Sequence, residues 1–207
     1  YRYNIKNIIR AKGNELKVLL KSPTRIAEEE EKKYGKLPVA LNSTRVYIRK
    51  AQYSFGWDWG PTFPTSGIWR NVYLEEWADA KIENVTFNTI SINKITAEVV
   101  VNVDVNSSVK KNISIDVSLS NGDNFYELKI PLNSSSKNII SFKIKEPKLW
   151  WPNGEGEQNL YLLNVKLVNG NIVLDEIKKN VGIRTMKLVL KEKNKSTFKF
   201  RVNNKDI

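Results

Sequence analysis

Apolar and polar residues alternate with a period of two along most of the chain. This period places successive side chains on opposite faces of an extended backbone, so each such run predicts a half-buried β-strand. The pair Asn169-Gly170 predicts a two-residue hairpin turn of type I′, which needs positive φ at both positions. The predicted strands carry Tyr1, Tyr3 and Ile5; Leu16, Val18 and Leu20; Val99, Val101, Val103 and Val105; Ile113, Ile115, Val117 and Leu119; Ile140, Phe142 and Ile144; and Leu163, Val165 and Leu167.

One helix is expected to interrupt this pattern. Ser22 can cap its N-terminus, Pro23 suits the first helical position, and Gly35 ends it. The acidic and basic residues between them predict an exposed helix that crosses one end of a β domain. Two ion pairs at i,i+4 spacing are expected on its surface, Glu28–Lys32 and Glu29–Lys33.

The spacing of the strands predicts more than one domain and an all-β fold class that includes an immunoglobulin-like β-sandwich. Residues 79–190 hold the strands of the immunoglobulin-like sandwich. Residues 1–78 hold too few strands to close a sandwich, so they are expected to be the C-terminal part of a larger β domain. Residues 191–207 can supply only the first strand or strands of a third domain. The chain is therefore expected to be an internal fragment of a multidomain protein.

Composition and charge exclude several functions. The chain has no Cys and no His, which excludes thiol nucleophiles, disulfides and any triad that uses His. We expect no metal and no cofactor. The net charge of +12 is spread along the chain, and only Lys187–Lys205 is densely basic, so nucleic acid is not an expected partner. No apolar run approaches the roughly 20 residues of a membrane span, so no membrane partner is expected.

The segment Trp57-Asp58-Trp59 carries the most distinctive chemistry. If it is extended, both indoles share one face and Asp58 takes the other. Aromatic rings can stack on the C–H faces of a sugar while a carboxylate accepts hydrogen bonds from its hydroxyls, which makes this a candidate carbohydrate site. The alternative is that both indoles belong to a core and that Asp58 caps a turn into Gly60-Pro61. The residue chemistry alone does not choose between them.

Four blocks of sequence occur in an informative order. They are RKAQYSFGWDWGP at 49–61 followed by FPTSGIWR at 63–70; PKLWWPNG at 147–154 with EQNLY at 157–161; VGIRT at 181–185; and FKFRVN at 198–203. Together they closely resemble the β-mannosidases of glycoside hydrolase family 2 over nearly the whole chain. GIWRNV at 67–72 resembles a feature of the whole family, whereas WDWGP is the element that points to mannosidases.

The resemblance implies that residues 1–78 are the C-terminal part of a jelly-roll-like (galactose-binding-like) domain, so that the fold class is a partial jelly-roll-like β-sandwich followed by an immunoglobulin-like β-sandwich. It also implies a retaining exo-glycosidase that hydrolyses terminal non-reducing β-D-mannose residues of oligosaccharides from glycoproteins. Its partners would be the β-mannoside substrate and the chain's own TIM barrel, of which residues 191–207 would be the beginning. In this family both catalytic Glu residues lie on the barrel, so no catalytic residue is assigned here and the fragment is expected to be inactive alone.

The resemblance also implies roles for individual residues. Asp58 would hydrogen-bond sugar hydroxyls, and Trp57 or Trp59 would wall the mannose pocket. The remaining residues are expected to be structural: Trp150 and Trp151 at an interface of the sandwich, Arg49 in an ion pair with a carboxylate, and Asn204 in a positive-φ turn where the family usually has Gly.

Two other functions stay open. One is a different family 2 glycosidase, such as a β-glucuronidase, β-galactosidase or exo-glucosaminidase, against which Trp57-Asp58-Trp59 argues. The other is a non-catalytic carbohydrate-binding module.

The chain also contains more N-glycosylation sequons than its composition explains. Their excess predicts a glycoprotein of the secretory pathway, located in the lysosome. The alternative is a general richness in Asn. The candidate sites are Asn42, Asn84, Asn106, Asn112, Asn133 and Asn194.

Overall fold

The computed structural model describes residues 1–109, 112–122, 124–133, 137–192 and 195–207. The chain forms two compact units, Tyr1–Leu74 and Glu75–Ile207. The expected fold class is confirmed, because antiparallel strands make up most of the regular structure. In the described part of the chain, no helix is long and apolar enough to cross a membrane.

The first unit contains a helix, two 3₁₀ turns and a short hairpin. Helix α1 spans Pro23–Tyr34, as predicted. The Ser22 hydroxyl accepts a hydrogen bond from the Arg25 N–H at 3.4 Å, and Gly35 has φ 87° and donates its N–H to Glu31 O at 2.8 Å. The 3₁₀ turns are Ser43–Tyr47 and Gln52–Ser54, and the hairpin pairs β1 (Phe55–Trp57) with β2 (Gly60–Thr62).

The ion pairs predicted for the helix are wrong. Glu29 lies 3.6 Å from Arg25, one turn towards the N-terminus, instead of pairing with Lys33. Among the described residues, no ion pair joins Glu28 to Lys32. Both partners in the observed pair are exposed, so solvent screens their attraction and the pair contributes little to stability.

Two predicted strands in the first unit are also wrong. The runs around Tyr3 and Val18 are irregular, and their apolar side chains are exposed except for the half-buried Ile5. An alternating run becomes a strand only when a neighbouring strand satisfies its backbone hydrogen bonds. No strand among the described residues pairs with either run.

The second unit begins with a seven-stranded sandwich. One sheet has the strand order β3-β4-β7 and the other β6-β5-β8-β9, with every pairing antiparallel. This three-plus-four arrangement is that of an immunoglobulin-like sandwich, which confirms the prediction. The strands are β3 (Ala80–Ile92), β4 (Thr96–Ser107), β5 (Ile113–Asn121), β6 (Asn124–Pro131), β7 (Asn138–Lys145), β8 (Tyr161–Asn169) and β9 (Ile172–Val181).

The core lies between the two sheets and consists of the alternating residues predicted from the sequence. Their inward side chains are almost completely buried, while their neighbours along each strand face outward. Val105 packs at the edge of this core. The buried set includes Val99, Val101 and Val103; Ile113, Ile115, Val117 and Leu119; Ile140, Phe142 and Ile144; and Leu163, Val165 and Leu167.

Hydrogen bonds from side chains join the two sheets at one edge of the sandwich. Strand β3 contains a bulge between Ile82 and Asn84. The Asp175 carboxylate on β9 accepts the Ile82 N–H at 2.8 Å, and the Lys179 ammonium donates to Val85 O at 2.8 Å. Strand β3 lies at the edge of its sheet, so the two bonds tie its backbone to β9 of the other sheet.

The hairpin between β8 and β9 forms, but with a different turn from the one predicted. Asn169 still pairs with Ile172, so the central residues are Gly170 and Asn171. Only Gly170 has positive φ, at 60°. This is the pattern of a type II′ turn, which requires Gly at the first central position only.

A second, smaller sheet follows the sandwich within the same unit. It joins β10 (Met186–Glu192), β11 (Lys195–Val202) and β12 (Lys205–Asp206) in antiparallel order. The expected domain boundary between residues 190 and 191 falls inside strand β10, and the assignment of residues 191–207 to the beginning of a TIM barrel stays a prediction. Asn204 lies in the last turn with φ 68°, as expected.

We expect Ile115→Ala to lower the free energy of unfolding by about 2–5 kcal/mol, because Ile115 is completely buried and its loss leaves a cavity. Ile139→Ala is the matched control: this side chain is 56% exposed on the outer face of β7, and its loss should cost less than about 0.5 kcal/mol. Urea unfolding followed by far-UV circular dichroism measures both values. Equal losses for the two variants would contradict the assignment of the core.

Candidate functional site

The candidate sugar-binding residues lie at the tip of the β1–β2 hairpin. Trp57 pairs with Gly60, so Asp58 and Trp59 are the two residues of the turn. The segment is not extended, so the condition under which both indoles would share one strand face is not met. The chain reverses between the two Trp residues.

The tip is held by contacts at the base of the hairpin. Phe55 is buried, the Thr62 hydroxyl donates to Phe55 O at 3.1 Å, and the Phe63 N–H donates to Ser54 O at 2.8 Å. Gly56 has φ 98°, and a Cβ at this position would lie 2.8 Å from the Thr62 hydroxyl oxygen. Sequence reasoning missed Gly56, although a Gly inside a short strand is a signal of a close backbone approach.

All three candidate residues are exposed at the tip. Trp57 is 53% exposed, Trp59 is 86% exposed and Asp58 is exposed as well. The alternative in which the indoles belong to a core of this unit is therefore wrong. An exposed indole beside an exposed carboxylate offers an apolar stacking surface and a hydrogen-bond acceptor, the two groups that a sugar ring requires.

Other aromatic residues of the same unit are exposed too. Tyr53 and Phe63 flank the hairpin, and the Trp69 ring is 81% exposed with the Arg70 guanidinium 4.2 Å from its centre. So many exposed rings in one small unit are unusual for a surface that faces only water. A depression in this unit is lined by other residues: Lys21, Pro23, Ile26, Ile48, Arg49, Lys50 and Ser66.

The ion pair predicted for Arg49 is wrong. Arg49 is exposed and forms no ion pair with any residue that the structure describes. Its neighbour Lys50 instead donates to the backbone oxygen of Thr65. Within the described ranges, no group of three or more acidic side chains is arranged to hold a metal ion.

The Trp150 loop lies at one end of the sandwich and is tied into the second unit. The Trp150 N–H donates to Ile183 O at 3.0 Å, and the Arg184 guanidinium lies 4.7 Å from the centre of its ring. Trp151 packs on Gly156, where a Cβ would lie 2.9 Å from the indole. Both Trp residues are half-buried, in agreement with the packing role expected for them. The nearby Glu155 pairs with Lys205 at 2.8 Å.

The described sequon asparagines are all exposed. Asn106, Asn112 and Asn133 lie at the end of the sandwich opposite the Trp150 loop, because they stand at the end of β4, before β5 and after β6. Asn84 lies on β3 and Asn42 precedes a 3₁₀ turn of the first unit. Asn194 lies outside the described residues.

Two family models match the chain. Residues 1–70 match the glycosyl hydrolase 2 galactose-binding domain-like family, and residues 80–184 match glycosyl hydrolases family 2. The matches lie on either side of the division at residues 74 and 75 between the compact units. The boundary at 78 and 79 stays a prediction.

Two similar curated proteins are β-mannosidases of Aspergillus species. β-Mannosidase B of Aspergillus fumigatus is 36% identical over 166 residues, which are 79% of this chain and 20% of the relative. β-Mannosidase B of Aspergillus terreus is 32% identical over 165 residues, 79% of this chain and 19% of the relative. The chain thus spans about a fifth of the length of these relatives.

The chain also resembles solved structures of glycoside hydrolases. The β-D-mannosidase of Dictyoglomus thermophilum is 36% identical with a TM-score of 0.81, over 90% of this chain and 24% of that one. The exo-chitosanase of Amycolatopsis orientalis is 23% identical with a TM-score of 0.56, over 73% of this chain and 18% of that one. The second likeness shows the fold alone.

We expect Gly56→Ala to open the β1–β2 hairpin, because Ala is strained at φ 98° and its Cβ would contact the Thr62 hydroxyl oxygen. This backbone strain should lower the free energy of opening the hairpin by about 1–3 kcal/mol. Gly60→Ala is the matched control, because the nearest heavy atom to its Cβ would be 3.8 Å away and its φ is not positive. Amide hydrogen exchange in residues 55–63 should accelerate only in Gly56→Ala. Faster exchange in both variants, or in neither, would contradict this role of Gly56.

Proposed function

The chain belongs to glycosyl hydrolase family 2, and on that premise we propose that it is part of a β-mannosidase. The substrate would be an oligosaccharide that ends in a non-reducing β-D-mannose, such as those released from glycoprotein glycans. The observation that carries the proposal is the likeness to β-mannosidases over 79–90% of the chain, at 36% identity to both a fungal enzyme and a bacterial structure. The hairpin tip lies inside the family match, at Trp57–Trp59.

In the proposed enzyme, the hairpin tip contributes to recognition of the terminal mannose. Asp58 accepts hydrogen bonds from sugar hydroxyls, and the indole of Trp57 or Trp59 packs on the sugar's C–H face. The exposure of all three side chains supports this role, since each is accessible to a ligand. A carboxylate accepts hydrogen bonds of the charge-assisted kind, which are about twice as strong as neutral ones.

We propose that the reaction is a double displacement with retention of configuration. It requires two carboxylates about 5–5.5 Å apart, one acting as acid/base and the other as nucleophile. We assign neither of them to this chain. The acidic run at 28–31 belongs to an exposed helix, and Glu155 pairs with Lys205. The 207-residue chain by itself is therefore expected to release no mannose from an aryl β-mannoside.

The role of Asp58 is tested in the full-length enzyme with an aryl β-mannoside. We expect Asp58→Ala to lower kcat/KM by roughly 10- to 100-fold, the loss of one or two charged hydrogen bonds to the sugar. Asp58→Asn keeps the size and one acceptor, and it should lose less. Trp59→Phe should keep more activity than Trp59→Ala if the ring stacks on the sugar.

The matched control is Asp104→Ala. This carboxylate is exposed on the outer face of the sandwich and contacts only Asn84 among the described side chains, at 3.4 Å. It should leave kcat/KM unchanged. An Asp58→Ala enzyme with unchanged kcat/KM would show that Asp58 does not contact the sugar. An enzyme with no activity on β-mannosides but activity on β-glucuronides or β-galactosides would refute the mannosidase proposal itself.

We further propose that the protein is a glycoprotein of the secretory pathway and that it functions in the lysosome. The exposure of the described sequon asparagines supports this, because the oligosaccharide transferase needs an accessible amide. These residues are Asn42, Asn84, Asn106, Asn112 and Asn133. The sites Asn106, Asn112 and Asn133 leave the Trp150 loop unobstructed, since they lie at the other end of the sandwich.

This location is tested by expressing the full-length protein in a eukaryotic host. We expect enzymatic removal of N-glycans to lower the mass and convert the occupied Asn residues to Asp, which peptide mass spectrometry detects. The same protein made in bacteria is the unglycosylated control. A protein that stays in the cytosol with every sequon unmodified would contradict the proposal.

A further inference from the structure

The segment Gly182–Thr185 joins the sandwich to the small C-terminal sheet. It follows β9 and precedes β10, and its Ile183 is completely buried. The Trp150 loop and the turn at Asn203 both bond to it. The contacts that this segment makes with the Trp150 loop and with the turn at Asn203 determine how firmly the small sheet is attached to the sandwich.

The contacts with the Trp150 loop fix the start of this segment. The Trp150 N–H donates to Ile183 O at 3.0 Å. A Cβ on Gly182 would lie 2.9 Å from the Cβ of Trp150, so only Gly fits beside this ring. The Arg184 N–H donates to the Thr89 hydroxyl at 3.2 Å, which joins the segment to strand β3 as well.

Asn203 joins three parts of the second unit through three hydrogen bonds. Its backbone N–H donates to Thr185 O at 3.0 Å, and its side-chain oxygen accepts the Thr185 N–H at 3.0 Å. Its side-chain NH₂ donates to Trp150 O at 3.0 Å. One amide therefore bonds to both the connecting segment and the sandwich loop, while its backbone lies in the turn between β11 and β12.

We infer that Asn203 locks the β10–β12 sheet onto the sandwich, so that the two move as one rigid body. The position requires an acceptor, a donor and a backbone φ of 48° at once. Asn meets all three needs, because it has both hydrogen-bonding groups and tolerates positive φ. An Asp side chain would keep the acceptor for the Thr185 N–H, but its carboxylate would face the Trp150 carbonyl oxygen without a donor. Gly would keep only the backbone N–H that donates to Thr185 O.

The neighbouring contacts cannot replace this lock. Asn204 also has positive φ, but it is exposed and its side chain donates only to Ile92 O at 3.5 Å. Lys205 pairs with Glu155 on the surface, where screening weakens the attraction. The small sheet would keep little structure if it were detached from the sandwich. A sheet of a few short strands is stable only when its apolar face packs against another part of the protein. Release of the lock should therefore appear as local opening.

The test is amide hydrogen exchange, followed by mass spectrometry, on the 207-residue chain and its variants. N203D is isosteric and removes the donor, while N203G keeps the backbone freedom and removes the whole amide. We expect both to speed exchange in residues 186–202 by roughly tenfold or more, with β5 and β8 unchanged. The matched controls N204D and N204G should exchange at the wild-type rate.

Three outcomes would overturn the inference. The first is wild-type exchange in both variants of Asn203. The second is equal acceleration in the variants of Asn203 and Asn204, which would assign the effect to the turn and not to the amide. The third is a loss of protection in β5 and β8 equal to that in β10–β12, which would show that the sheet has no separate lock. If N203D fails to fold, N203G decides among these outcomes. The result does not depend on the mannosidase proposal.

Discussion

The structure depends on the burial of one face from each of two sheets against the other. The inward Val, Ile, Leu and Phe residues of β4, β5, β7 and β8 form a single core, and each strand can enter it only in the register that turns this face inward. The remaining features of the sandwich follow from that constraint. The bulge in β3 keeps both Ile82 and Val85 buried, and Asp175 and Lys179 hydrogen-bond to the β3 backbone on either side of the bulge.

The same constraint explains which parts of the fold could be predicted from the sequence. In the sandwich, the period-two pattern coincides with a real partner sheet, so strands such as β5 and β8 were predicted correctly. In the first unit, the same pattern around Tyr3 and Val18 finds no partner strand among the described residues, and the prediction failed. Helix α1 was predicted because its signals are local: a capping Ser22, Pro23 at the first turn and Gly35 at the end.

The candidate residues of the site could be selected from the sequence, but their arrangement in space could not be predicted from it. The residue types and the family resemblance selected Trp57, Asp58 and Trp59 as candidates, but no pattern in the sequence showed that the chain makes a two-residue turn there. That turn depends on Gly56 and on a hydrogen bond from Thr62 to Phe55, neither of which carries a periodic signal. The bonds of Asn203 could not be predicted from the sequence either, because they join residues 18 and 53 positions apart in the chain.

The central claim is that the hairpin tip of this family 2 chain contacts the terminal mannose of a β-mannoside. It is tested most directly by a crystal structure of the full-length enzyme with a mannose-configured inhibitor bound. The account predicts an Asp58 carboxylate oxygen within about 3.2 Å of a sugar hydroxyl, with the ring of Trp57 or Trp59 packed on the sugar. A structure in which the sugar is bound and the hairpin tip remains in solvent, away from it, would contradict the account.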